Sequence, residues 1–198
     1  MFPLGTVLVP GMVLPLHVFE PRYRQLVHDC RQTGEFGVTL IERGSEVGGG
    51  EVRTGIGTVA RIVRAEELAD GRFVLGTVGV RRIRVERWLD DDPYPRAEVA
   101  DWPDVAPTGG EPPGRALQAL LRRAAALRAE LGEPAPPLDL ELVDDPITAV
   151  YQAVVLSGAG AADRQALLAT PTVEARAARL DGLLHEQIGV LEARLAGG

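Results

Sequence analysis

The hydrophobic pattern changes period once along the chain, and that change limits the fold to a sheet-built half followed by a helix-built half. Before Pro103, apolar residues alternate in short β-branched runs; after Gly114 they recur every three or four positions. The segment between them, PDVAPTGGEPPG at 103–114, is rich in proline and glycine and carries neither pattern. A chain of 198 residues divided in this way predicts an α+β protein. The expected parts are a β-barrel-like lobe over 1–104, a linker over 105–114 and a helical lobe over 115–198.

Within the first lobe, Val13 to Phe19 is an apolar run around Pro15 and His17, entered through a Pro10–Gly11 turn. Pro21 opens a short helix, on which Tyr23, Leu26, Val27 and Cys30 share one face. Strands are expected over 36–41, 52–64, 73–88 and 93–99, with Asp70–Gly71 as a hairpin turn. Val78 and Val80 sit on one parity, Ile83 and Val85 on the other, which predicts a β-bulge near Arg81–Arg82. Long, bulged strands suit a small barrel better than a flat sheet. In the second lobe Asp145–Pro146 is an N-cap followed by proline at the first helical position. Thr172 caps a last helix, whose apolar face runs Val173, Ala177, Leu180, Leu184, Ile188, Leu191 and Leu195.

Composition removes most enzyme classes. All 21 cationic side chains are arginine, so no residue here can serve as a P-loop lysine, a Schiff-base lysine or the base of a Ser–Lys dyad. Cys30 is the single cysteine, and the histidines (His17, His28, His185) have no metal-ligand spacing, so no metal site is expected. No catalytic set and no cofactor are expected either. The net charge is −7, and neither half is basic, which weighs against nucleic acid as the partner. Met1 to Phe19 carries no formal side-chain charge. Its prolines and glycines would break a membrane helix and no cation precedes it, so neither a membrane span nor an export signal is read there. A cytoplasmic address follows as the expectation.

Several motifs invite a functional reading that a plainer one outweighs. Gly55-Ile-Gly57-Thr-Val-Ala60 matches a dinucleotide string, but the residues after it are β-formers, so tight packing of a bent strand is expected. Ser157 lacks a nucleophile elbow and reads as a helix-end residue. Cys30 reads as core packing, His17 as a hydrogen-bonded structural histidine, His28 as solvated and His185 as a local partner of Asp181. Arg81, Arg82, Arg84 and Arg87 read as a solvated strand face. Glu20, Arg22 and Tyr23 read as the architecture of a helix entrance. Trp88, Tyr94 and Trp102 flank the acidic Asp90–Asp92 loop and are the candidate binding anchors.

The opening FPLGTVLVPGMVLPLHVFEPRYRQLV resembles the start of the substrate-binding domain found at the N-terminus of Lon proteases. The match runs through Phe2, Pro3, Leu4, Pro10, Gly11, Pro15, Leu16, His17, Phe19, Glu20, Pro21, Arg22 and Tyr23. Segments 36–41, 51–62 and 79–85 fit the family's later strands, and 144–156 and 163–192 fit its helices. The resemblance implies a PUA-like β pseudo-barrel followed by helices. It implies a free-standing member without the ATPase and peptidase modules, and a non-catalytic role in contacting polypeptides. Pro15, His17, Phe19, Glu20, Pro21, Arg22 and Tyr23 are then signature residues with structural roles. A polypeptide or protein partner is expected, with no nucleic acid and no membrane. A small-molecule-binding or sensing module is the alternative, and nucleic-acid binding is a weaker one.

Overall fold

A computed structural model describes residues 1–46, 50–105, 109 and 112–197. Of the linker expected over 105–114, residues 106–108, 110 and 111 lie outside the described residues, and Gly114 already belongs to the first helix of the second half. The chain divides into two compact units, Met1–Pro103 and Asp104–Gly198, each taken here by itself.

Among its described residues, unit 1 is one mixed six-stranded sheet with a single helix. Its elements are β1 (Phe2–Leu4), β2 (Val13–Val18), α1 (Pro21–Asp29), β3 (Glu35–Arg43), β4 (Val52–Glu67), β5 (Phe73–Leu89) and β6 (Arg96–Asp101). The strand order is β1-β3-β4-β5-β2, with β6 also on β5; β1 runs parallel to β3 and every other pair is antiparallel. Strand β5 serves two neighbours in turn, β2 along Phe73–Val78 and β6 along Ile83–Leu89. The pseudo-barrel is therefore an open one. Its terminal strands β1 and β2 share no ladder, but they meet through side chains: Phe2, Leu4, Leu14, Leu16 and Val18 belong to one core with Tyr23, Leu26 and Val27 of α1.

Local chemistry explains this curl. Val59 lies opposite Arg81 and Ala60 opposite Gly79, so Val80 is the extra residue of a bulge, one position before the expected Arg81–Arg82. A second irregularity falls between Ile62 and Arg64. Strand β2 alternates cleanly, with Leu14, Leu16 and Val18 buried and Val13, Pro15 and His17 exposed. The turn at Gly11 (φ 80°) lies against Gly79, whose carbonyl accepts from the Gly11 amide at 2.8 Å and whose amide donates to Met12 at 2.9 Å. A Cβ on Gly79 would stand 2.3 Å from the Val9 carbonyl oxygen, so only glycine admits this approach.

Unit 2 consists of α2 (Gly114–Glu130), α3 (Pro146–Leu156), α4 (Ala161–Leu168) and α5 (Val173–Gly197). Helix α5 buries Val173, Ala177, Leu180, Leu184, Ile188 and Leu191 of the predicted stripe, together with Arg176, while Leu195, its last predicted position, is only half-buried. Thr172 accepts from the Ala175 amide at 3.2 Å, as an N-cap does. The extended stretch before α3 is pinned by Arg122, which donates twice to the Leu140 carbonyl (3.0 and 2.8 Å), and by Gln118, which accepts from the Leu142 amide. Among the described residues no helix is long and apolar enough to cross a membrane.

Asp145 caps α3 by accepting from both the amide (2.8 Å) and the hydroxyl (2.6 Å) of Thr148. Those bonds hold its carboxyl below the usual range. The Asp145→Ala variant should lose about 1 kcal/mol of stability. A carboxyl lowered in the folded state stabilises above its unfolded pKa and loses that contribution as pH falls through its folded pKa. The gap between wild type and variant, read from urea denaturation, should therefore narrow in acid. A gap that stays constant from neutral pH to well below the carboxylate range would refute the assignment.

Candidate functional site

The three expected anchors are half-buried, and each has a partner within unit 1. The Arg53 guanidinium lies 5.0 Å from the Trp88 ring, held there by Glu51 (2.9 Å) and a bidentate pair to Asp91 (3.0 and 2.7 Å). Tyr94 packs on the core and donates its hydroxyl to Asp29 at 2.7 Å; burial and that bond push its pKa up to about 12. Trp102 is flanked by Arg82 (4.2 Å) and Arg84 (4.7 Å). On the β5–β6 ladder Trp88 pairs with Ala97 and Asp101 pairs with Ile83. At about 3.3 Å per residue, Trp88 and Trp102 are then roughly 15 Å apart, so the hairpin does not gather them into one surface.

The signature residues divide differently. Tyr23 is buried, its ring stacked on Phe2 at 4.2 Å, and burial pushes its hydroxyl up to about 12. Pro21 occupies the first helical position and Glu20 is the N-cap, though its side chain makes no capping bond. That carboxylate instead pairs with Arg22 at 3.1 Å, and the Arg22 guanidinium lies 4.4 Å from the Tyr23 ring. His17 departs from expectation: it is exposed, and its imidazole makes no hydrogen bond among the described residues. Its parity on a terminal strand turns it to solvent, where an imidazole needs no protein partner.

Phe19 also departs from a structural role. Of four phenylalanines, three tyrosines and two tryptophans, it alone is exposed, at 55%. It stands just before the N-cap of α1, where an apolar residue usually packs on the fourth helical residue. That residue is Arg24, so this usual apolar partner is missing. The absent staple was visible in the sequence and is the signal that could have singled Phe19 out.

Phe19 borders a cleft of about 170 Å³ between the terminal strands. Phe2 and Leu4 of β1 and Leu16 and Val18 of β2 line it, together with His17, Glu20, Tyr23 and Glu46. Arg22 reaches the Glu46 carbonyl at 3.2 Å, while the Glu46 carboxylate accepts from the Gly5 amide and has no cationic partner among the described residues. A larger cleft of about 470 Å³ lies within unit 2, with Arg115, Gln118, Glu141 and Asp144 in its wall.

The remaining motifs resolve as packing. A Cβ on Gly57 would meet the Val38 carbonyl oxygen at 2.2 Å, whereas Gly55 has open space, so the glycine string is a strand contact. Ser157 is fully buried at the end of α3, donating to the Val154 carbonyl at 2.8 Å and accepting from Ala159 at 3.2 Å. Cys30 packs against the core, and burial raises its thiol pKa, the opposite of an activated nucleophile. His28 is exposed, with its ring edge-on to Phe73, and His185 pairs with Asp181 at 3.1 Å. Of the expected solvated arginine face, Arg81 (tied to Glu35 and Asp101), Arg84 and Arg87 (tied to Glu98) are exposed, but Arg82 is fully buried, because the bulge at Val80 turns it to the other face of β5. Among the described residues no group of three or more His, Cys, Asp or Glu could hold a metal ion.

A curled mixed sheet followed by helices makes this an α+β protein, and among the described residues no nucleophile–base set is assembled. The sequence model of the ATP-dependent protease La (LON) substrate-binding domain matches residues 1–186, and the chain belongs to that family. It is 25% identical over 201 residues to Lon protease 1 of Herpetosiphon aurantiacus, covering 96% of this chain and 24% of the relative. It is 28% identical over 194 residues to the Lon protease of Cytophaga hutchinsonii, covering 95% and 24%. The chain thus spans about a quarter of the length of these curated relatives. The crystal structure of a Lon N-terminal domain protein from Xanthomonas campestris superposes with a TM-score of 0.67 at 32% identity, covering 93% of this chain and 95% of that one. The N-terminal domain of the Mycobacterium avium complex Lon protease shares the fold (TM-score 0.56, 20% identity, 94% and 96% covered).

Proposed function

We propose that this chain is a non-catalytic polypeptide-binding module that acts as an adaptor or substrate-binding unit. The observation that carries the reading is the exposed Phe19 beside the apolar cleft of the signature strands, in a chain of the Lon substrate-binding family. An exposed aromatic next to a small apolar cleft is the usual form of a contact hot spot. The half-exposed faces of Trp88, Tyr94 and Trp102 are further candidate contacts. The 198 residues contain no lysine and therefore neither a P-loop lysine nor a Ser–Lys dyad. The net charge of −7 and the carboxylate partners of Arg81 and Arg87 disfavour polyanions and tolerate basic, partly unfolded clients.

The test is light scattering from a thermally unfolding protein at equimolar chain, without nucleotide, followed by gel analysis. Delayed scattering with the client intact is expected. Unaltered scattering, or client fragments whose amount tracks the purified chain, would contradict the proposal. A small-molecule or sensing role is the second reading, favoured by the 470 Å³ cleft of unit 2, which falls in the range of about 300–1,000 Å³ usual for such sites. Saturable binding of one metabolite together with no effect on the client would support it instead.

A further inference from the structure

We infer that the cleft between β1 and β2 is a socket for one apolar side chain of a client polypeptide, with a preference for clients carrying a cationic residue beside it. This rests on the polypeptide-binding reading above and assigns its contact chemistry.

Size comes first. The cleft holds about 170 Å³, below the roughly 300–1,000 Å³ of sites that enclose a whole small molecule. It has room for one aliphatic or aromatic side chain. Phe2, Leu4, Leu16 and Val18 offer that group apolar walls. Phe19, already 55% exposed, can cover it without leaving a core position.

The mode of contact follows from the strands. Both terminal strands contain a proline, Pro3 in β1 and Pro15 in β2. A proline on an edge strand removes a donor and discourages the addition of another strand. A client is therefore held through its side chain and not by extending the sheet.

Charge sets the preference. Two carboxylates, Glu20 and Glu46, line the cleft together with His17, and no arginine is among its described lining residues. Arg22 offsets Glu20 at 3.1 Å. The Glu46 carboxylate has no cationic side chain on it and is engaged only with the Gly5 amide among the described residues. An arginine or lysine next to the inserted residue would find that carboxylate; an aspartate there would be repelled.

The experiment is fluorescence anisotropy with labelled glycine–serine peptides that carry one central leucine flanked by arginine, serine or aspartate. A peptide with alanine for leucine and a permanently unfolded model protein serve as further probes. The arginine-flanked peptide should bind tightest, roughly threefold better than the serine-flanked one, the size of a surface charge contact. Phe19→Ser replaces an exposed side chain, so the variant should keep the wild-type circular dichroism and melting temperature. It should weaken every leucine peptide about tenfold, as loss of a hot-spot aromatic does. Glu46→Gln should abolish the arginine preference and leave the leucine-over-alanine preference intact. If wild type and Phe19→Ser bind the unfolded protein and the peptides alike, the socket is wrong and the polypeptide-binding reading stands. If affinity ignores the flanking charge, the preference is wrong. If wild type binds neither peptides nor unfolded protein, both readings fail. A chain that sediments as a dimer and becomes a monomer on Phe19→Ser would give the cleft to a second copy and overturn the inference.

Discussion

Replacing Arg176 by alanine should remove most of the stability of the helical unit, by about 3–5 kcal/mol, the cost of stripping one partner from a buried ion pair. Arg176 is fully buried on the first turn of α5. Its Nη2 lies 2.8 Å from Asp104 and donates to the Thr170 carbonyl at 2.9 Å, and its Nε donates to Leu167 at 2.9 Å. The guanidinium also lies 4.5 Å from the Tyr151 ring, whose hydroxyl donates to Asp104 at 2.6 Å. One side chain thus joins Asp104, α3 and the turn between α4 and α5. Alanine would strip the guanidinium from the buried Asp104 carboxylate and from the two carbonyls that accept from it in a dry site. Removing both charges together should cost much less: Arg176→Met with Asp104→Leu keeps apolar volume and leaves no lone ion. Chemical denaturation followed by far-ultraviolet circular dichroism reads both. If the single variant lost under about 1 kcal/mol, the network would be worth no more than a surface pair.

The second large effect is expected at Gly57. A Cβ there would sit 2.2 Å from a backbone oxygen of β3, which cannot move without breaking the ladder between Val38 and Thr58. Gly57→Ala should cost roughly 3 kcal/mol, the upper end of overpacking penalties, and Gly57→Val should prevent folding of unit 1. Gly55, two residues earlier in the same string, has nothing within 4 Å of its notional Cβ. Gly55→Ala should leave the melting temperature within a few degrees, since surface changes are usually within about 0.5 kcal/mol. Equal melting temperatures for the two alanine variants would refute the close-packing account.

Much of this frame was legible because each local signal pointed the same way as the fold. The parity shift after Val80 marked the bulge to within one residue, because an inserted residue moves every later side chain to the other face. The Asp145–Pro146 and Thr172 caps were legible because capping is decided within three or four residues. Arg176 was not legible. Arginine seldom lies buried, and its partners come from three separate places in the sequence: Asp104, Tyr151, and the Leu167–Thr170 turn. The candidate contact residues divided along the same line. Aromatics near an acidic loop were visible, but the intramolecular partners of Trp88, Tyr94 and Trp102 arise from cross-strand register and from α1. The cleft beside Phe19 needs β1 and β2, the two ends of the sheet, brought side by side. No periodicity within a single strand encodes that meeting.

The claim that this chain holds non-native polypeptide is tested most directly by isothermal titration against one small disulfide-bonded protein in two forms, native and permanently unfolded by reduction and alkylation. Composition and net charge barely differ between the two forms, while exposed apolar surface differs greatly. The account predicts saturable, micromolar binding of the unfolded form without nucleotide, with a negative heat-capacity change from apolar burial, and no measurable heat with the native form. Equal binding of both forms, or no binding of either, would contradict it.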